Sequence, residues 1–428
     1  MFTRQLLQWV GIALIVAILG GLLGWYLFVS RQQQSVNAVS TGRGFSEPTP
    51  AFSGGSGSMH ENIVTFFGSA LRPTGTSTST PGEGKGAPEL SAPRLWRISA
   101  IPGVGLTSFA TSTGTTSAAI LRYVERPSGN VFEVPLTGGT PRRLTNTLIP
   151  RVYGVSWVDP NTLILRHAKE ENGLTIQTFL AAINTATSSN GVSSLAGSYL
   201  DDNIRGIVSY TNGKNPGLFY LVANDQGTFG ITTDSMGKNP KRLWSSALHD
   251  WRFSQIASDT IMLWQKASEG IVGSAYLLSL KTGESRLLLG NKDGLTALKH
   301  PTEDALLYST SLDGETKLYA QIDGVTRELP VVTFAEKCVW GTGTPLRAYC
   351  AVPRSMPSTQ LPDVWYRGEV AFDDRWFVVD PTQGTADVLL SPQEEGSVAI
   401  DVIDPTTIDG THVLFTDARS GTLWVLTI

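Results

Sequence analysis

Whatever chemistry this chain performs has to come from five histidines, two cysteines and a few paired carboxylates. His60, His167, His249, His300 and His412 are scattered, none beside a second histidine or a carboxylate at ligand spacing. HExxH, HxxxH and CxxC are absent, so the sequence offers no metal-ligand set. A strand-end histidine bonded to its own turn accounts better for such isolated rings. Asp201–Asp202, Asp373–Asp374 and Glu394–Glu395 invite a general acid/base reading. Neighbouring strand residues point to opposite faces, however, so these pairs read as turn punctuation or solvated edges. There is no GxSxG elbow, no P-loop and no α/β-hydrolase segment at the end of the chain. Ser311-Leu312-Asp313-Gly314 begins like a sialidase repeat and then departs from it at the glycine position and the aromatic. The reading is therefore non-enzymatic, with no catalytic residue, no metal and no cofactor assigned.

Two features carry other chemistry. Cys338 and Cys350 flank a Gly-Thr-Gly-Thr-Pro turn at 341–345. Pairing two strands about Thr344 sets the cysteines opposite each other, at a separation a disulfide spans. Closing so short a loop is worth ~2–3 kcal/mol, and the bridge requires an oxidising compartment. The alternative is two small buried thiols. The second feature is an insertion, Pro353 to Asp374, that holds Trp365, Tyr366 and Arg367 together. Those three have the composition of a binding hot spot. The conservative alternative has Trp365 and Tyr366 packing down to cap the blade beneath.

The elements that must position these residues are short strands. Charged residues are only 16% of the chain, against 44 Gly and 23 Pro, which suits strands joined by turns. Past residue 94 the sequence repeats loosely, and a long period of this kind points to a propeller or a solenoid. One unit, ALLYSTSLDGETKLYAQIDGVTREL at 305–329, alternates apolar runs with two Asp-Gly turns, the strongest local hairpin signal. Seven first strands are expected, near Gly103, Val152, Ile204, Trp251, Leu295, Ala335 and Val398. The last unit ends at Ile428 after three strands. Its fourth is expected at the other end of the domain, where Pro93-Arg94-Leu95-Trp96-Arg97-Ile98 matches Pro141-Arg142-Arg143-Leu144-Thr145 and Pro240-Lys241-Arg242-Leu243-Trp244. A strand supplied this way closes the ring and removes its exposed edges.

VFEVPLTGGTPRRLTN at 131–146 resembles the repeat of TolB-type, WD40-like propellers, and SLDG at 311–314 and PKRLW at 240–244 follow it more loosely. The resemblance covers 94–428 as architecture and implies an extracytoplasmic propeller working in protein–protein contacts. It departs from TolB itself in having an anchor and no N-terminal α/β domain. Membrane-anchored bacterial propeller proteins are the more similar set.

The anchor is the run LLQWVGIALIVAILGGLLGWYLFV at 6–29, in which Gln8 is the one strongly polar side chain. It supplies the ~20 residues that cross a bilayer, with aromatic residues at both ends. No A-x-A cleavage pattern follows it, so it reads as a retained anchor. Gly20 and Gly24 form a GxxxG, the spacing that lets two helices approach closely. Residues 30–92 are rich in Ser, Thr, Gly and Pro and behave as a linker, whose ends stand on the order of 40 Å apart. One apolar island, Ile63 to Phe67, interrupts it.

The expected organisation is thus a short tail at 1–5, a transmembrane helix at 6–29, a linker at 30–92 and an all-β propeller at 93–428. Net charge is −4 with no Lys/Arg block, which excludes a nucleic-acid partner on electrostatic grounds. The expected role is a single-pass protein of the cytoplasmic membrane, with an extracytoplasmic propeller that binds a protein or peptide. A homodimer through the Gly20/Gly24 face is a further expected partner. The alternative role is an enzyme, or a binder of carbohydrate or another small ligand, with its site at the channel mouth. Three or more converging His, Asp, Glu or Arg side chains there would favour the enzyme, and an apolar or Gly-lined channel would favour the scaffold.

Overall fold

The computed structural model describes residues 93–428 except 114–115, 171–172, 174, 185–191 and 213–214. The transmembrane helix expected at 6–29, its Gly20/Gly24 pair and the linker at 30–92 lie outside these residues. Among the described residues no helix is long and apolar enough to cross a membrane.

The strands pair into seven antiparallel four-stranded sheets. Blades one to six are each built from four consecutive strands, at 103–143, 152–199, 206–246, 251–293, 296–328 and 338–390. Blade seven takes three strands from 402–427, and its fourth is Leu95–Arg97. That strand pairs Leu95 with Leu426, Trp96 with Val425 and Arg97 with Trp424. The main chain extends the pairing at both ends, from Thr427 N to Arg94 O (2.7 Å) and from Ile98 N to Leu423 O (2.7 Å). The fold is a seven-bladed β-propeller closed by its N-terminal strand.

The seven first strands begin at Gly103, Val152, Gly206, Trp251, Thr296, Cys338 and Val402. The start expected at Ala335 is early because Ala335–Lys337 makes a 3-10 turn ahead of the strand. The Asp-Gly turns of blade five have positive φ at both residues (Asp313 53°, Gly314 76°; Asp323 49°, Gly324 78°). This is the backbone that two-residue hairpin turns require.

The core is divided by the blade interfaces. Leu163 and Leu165 pack toward blade one with Val124 and Val131, while Ile164 between them packs toward blade three with Ile204 and Ile207. Such second strands read as continuous apolar runs because both faces are covered. A separate apolar cluster fills each junction around the ring, including the closing one, where Ile98, Val425 and Leu423 meet Leu121 and Val134.

Candidate functional site at the channel mouth

The first strands of the blades line the axial channel. Where they begin, second strands also end, so residues from inter-blade connections and second-to-third-strand loops gather at one mouth. The channel forms a cavity of about 1510 Å³. Away from the charged residues, its wall mixes apolar side chains, among them Val155, Ile207, Phe253 and Leu298, with Ser156, Ser254, Thr406 and several glycines. The mouth is charged: Arg126, Arg166, Arg205, Arg252, Lys266 and Arg367 meet Asp250, Glu336, Asp363, Glu369 and Asp404. No histidine lines it.

The insertion expected at 353–374 runs between the second and third strands of blade six, Ala348–Pro353 and Asp374–Asp380. It carries a single helical turn, Asp363–Tyr366. From blade six it reaches blade four, where an Asp363 carboxylate oxygen accepts the Glu269 amide at 2.8 Å. Tyr366 donates its hydroxyl hydrogen to Glu336 Oε1 at 3.0 Å. The Arg252 guanidinium lies 4.4 Å and the Lys266 ammonium 5.4 Å from the centre of the Tyr366 ring. Glu336 also pairs with Arg252 at 3.4 Å. Burial pulls the Lys266 pKa down, and Asp250, Asp363 and Glu336 oppose that shift. The insertion is therefore a strap over part of the mouth.

Of the two readings of Trp365 and Tyr366, a presented hot spot and rings packed down, the structure has the second: they are 7% and 3% exposed. Trp365 stacks on Phe334, with ring centres 5.2 Å apart and planes 10° from parallel, and packs with Phe372, Leu361 and Ile403. The cause is local: Leu361, Val364, Trp365 and Phe372 of the strap bury together with Phe334, Ala267 and Ile403, and Asp401 accepts the Trp365 ring N–H. Arg367 alone of the three reaches the cavity, paired to Glu369 at 2.6 Å. That bond raises the arginine's pKa and lowers the glutamate's.

Beneath the strap lies a buried ionic cluster. Lys337, which has no solvent exposure, sends its ammonium to Asp374 Oδ2 (2.7 Å), Asp401 Oδ1 (2.6 Å) and Val402 O (2.9 Å). The other Asp401 oxygen accepts Trp365 Nε1 and the Phe372 amide, each at 3.1 Å. Asp374 Oδ2 accepts the Val402 amide at 2.7 Å. The Lys337 ammonium also sits 4.8 Å from the Trp365 ring centre and 5.1 Å from that of Phe372. Burial pushes the Asp374 carboxyl up to about 6, with Lys337 acting against that rise. Sequence reading took Asp373–Asp374 as solvated punctuation. Its alternation was right, since Asp373 turns out to Arg354 at 3.1 Å, but Asp374 turns into the core.

Cys338 and Cys350 are directly opposed in register and joined by a disulfide. Both are buried, and Cys338 also lines the channel. His300 follows its strand and accepts the Glu303 amide at 2.9 Å on Nδ1, and His412 bonds Asp409 in the turn before its own strand. His167 lies within a strand, 6.0 Å from Tyr199 ring to ring. Among the described residues no group of three His, Cys, Asp or Glu is placed to hold a metal ion.

No protein-family model matches the chain, and no curated protein matches it. Solved structures do. The chain is similar to YCF48 bound to D1 peptide, at 11% identity and a TM-score of 0.47, over 78% of this chain and 94% of that one. It is similar to the tricorn protease at 11% identity and a TM-score of 0.47, spanning 79% of this chain but only 34% of the protease. The Dos1 propeller aligns at 7% identity and a TM-score of 0.44, over 72% and 75% of the two chains. At such identities the likeness concerns the propeller fold alone, and the strand pairing above establishes that fold independently.

Proposed function

We propose that this is a membrane-tethered binding propeller of the TolB-like kind, which takes a protein or peptide segment into its channel mouth and performs no catalysis. The observation that carries this reading is the cavity of about 1510 Å³, charged at the rim, lined further by mixed apolar and hydroxyl side chains, and walled on one side by the strap. Small-ligand sites typically enclose ~300–1000 Å³, so a mouth of this size suits a stretch of chain. The rim offers arginine forks and carboxylates, which are groups of recognition. The convergence of charge favours the mouth over the Trp365 and Tyr366 rings as the binding face, on the same side of the ring as the insertion. The Cys338–Cys350 bridge supports an oxidising, extracytoplasmic location, and the apolar run at 6–29 supports the tether.

The same convergence of charge also favours a second reading, an enzyme or small-ligand site at the mouth. Photo-crosslinking separates the two. A photoreactive residue at Phe253, inside the mouth, is compared with one at Val388, exposed on an outer strand. Peptide or protein adducts from Phe253 and none from Val388 are expected. Adducts from Val388 alone would overturn the mouth as the binding face. Turnover or small-molecule capture with no adduct would favour the second reading.

A further inference from the structure

Charge at the mouth is unevenly divided. The rim residues contributed from blade four, blade six, the strap and blade seven carry all five carboxylates: Asp250, Glu336, Asp363, Glu369 and Asp404. They also carry Arg252, Lys266 and Arg367, and half of these eight charged groups are paired in place, Arg252 with Glu336 and Arg367 with Glu369. Blades one to three contribute Arg126, Arg166 and Arg205 to the lining and no carboxylate. None of these three makes an ion pair among the described residues. Burial pulls the Arg126 pKa down, and Asp404 opposes that shift.

Two of the three are held by main-chain oxygens rather than by anions. Arg126 Nε donates to Val152 O at 3.1 Å. Arg166 Nη1 donates to Ile204 O (3.3 Å) and Arg205 O (2.6 Å), and its guanidinium lies 4.8 Å from the Tyr153 ring centre. A glycine makes room for that posture: a Cβ on Gly154 would stand 2.8 Å from Arg166 Nη2. Arg205, the connection residue after Ile204, is exposed. A guanidinium fixed through some of its donors keeps the rest in a fork that matches a carboxylate, and fixing it beforehand lowers the entropy lost on binding.

We propose that this arginine sector receives a carboxylate side chain of an extended acidic peptide, whose neighbouring apolar residues enter the channel. The inference rests on the peptide-binding reading above and names its chemistry. A small free anion would satisfy the arginines and leave Val155, Ile207 and Phe253 of the channel wall without a partner.

The test uses two mixtures of short fluorescein-labelled peptides, randomised over apolar residues around one fixed position, Glu in the first and Gln in the second. Binding to the intact protein is followed by fluorescence polarisation. The Glu mixture is expected to bind about tenfold or more tightly than the Gln mixture, and added NaCl should narrow the gap. Arg205→Gln should erase the preference while leaving the thermal midpoint in place, because Arg205 makes no ion pair that holds the fold. Arg205→Lys, which keeps the charge and loses the fork, should restore only part of it. Equal binding of both mixtures, unchanged in Arg205→Gln, would overturn the carboxylate assignment and leave the peptide reading standing. Failure of both mixtures, with inorganic phosphate giving a calorimetric signal that Arg205→Gln removes, would overturn the proposal and the peptide reading together. No binding by any probe would do the same.

Discussion

Replacing Lys337 by methionine keeps the length and much of the shape of the side chain but removes the only cation between Asp374 and Asp401. All three residues are at most 1% exposed, so water cannot take the lysine's place without the structure opening. Removing one partner of a buried ion pair typically costs ~3–5 kcal/mol, because the remaining charge stays desolvated. For a propeller of roughly 330 residues, with an unfolding entropy of ~2 cal/mol/K per residue, that loss lowers Tm by about 4–7 °C. The damage should also be local. Asp401 holds Trp365 and the Phe372 amide, so freeing it loosens the strap before it loosens the ring. Urea unfolding measures the loss, and hydrogen exchange locates it. The Phe372 and Val402 amides are expected to lose protection, while blades one to three keep theirs. Adding Asp374→Asn to Lys337→Met removes one of the two stranded charges and should recover part of the stability. A single-variant loss below about 1 kcal/mol, with unchanged exchange at Phe372 and Val402, would refute the reasoning.

Three further outcomes follow from the same geometry. Asp374 holds its proton more tightly in the folded protein (pKa about 6) than an ordinary carboxylate does. Its contribution to stability is therefore present at pH below the ordinary carboxylate range and is lost as pH rises through about 6. The urea midpoint of the parent relative to Asp374→Asn should accordingly rise between pH 7 and pH 4.5, and a flat difference would count against it. Cys338→Ala with Cys350→Ala opens a loop whose ends are 12 residues apart, and a loss of about 2–3 kcal/mol is expected by thermal unfolding. Deleting residues 93–99 strips the fourth strand from blade seven and bares the edge of Leu423–Thr427. Size-exclusion chromatography should then show association where the parent does not.

The ring was legible in the sequence because each blade announces itself locally. Asp313-Gly314 and Asp323-Gly324 mark their hairpins without help from distant residues. Even the closure could be read, since Pro93-Arg94-Leu95-Trp96 resembles Pro240-Lys241-Arg242-Leu243-Trp244 closely enough to show which strand was missing. The mouth was not legible, because it is made by the ring and not by any blade. Arg126 and Asp404 come together from opposite ends of the domain. Arg126 and Lys266 hold the same place after the second strands of two blades, each amide bonding the residue before its blade's first strand, a match that only an alignment of the blades would reveal. Lys337 drew no reading at all, since nothing in its own 3-10 turn hints at Asp374 or Asp401. Trp365 and Tyr366 were noticed for their composition, but composition does not say which way a strap turns its aromatic rings.

The pairing of Leu95 with Leu426 also sets an order of events. As the chain is synthesised, the closing strand emerges first of all the described strands, yet it can pair only after the last one has formed. Throughout that interval Trp96 waits without its sheet, and the seventh blade lacks its outer edge. A contact spanning nearly the whole domain is among the slowest to form, because the intervening loop must be closed first. The other six blades can assemble in order as they appear, so ring closure becomes the last and most exposed step. Any shortened product that ends before Leu423 keeps six blades, an open seam and a strand with nothing to meet.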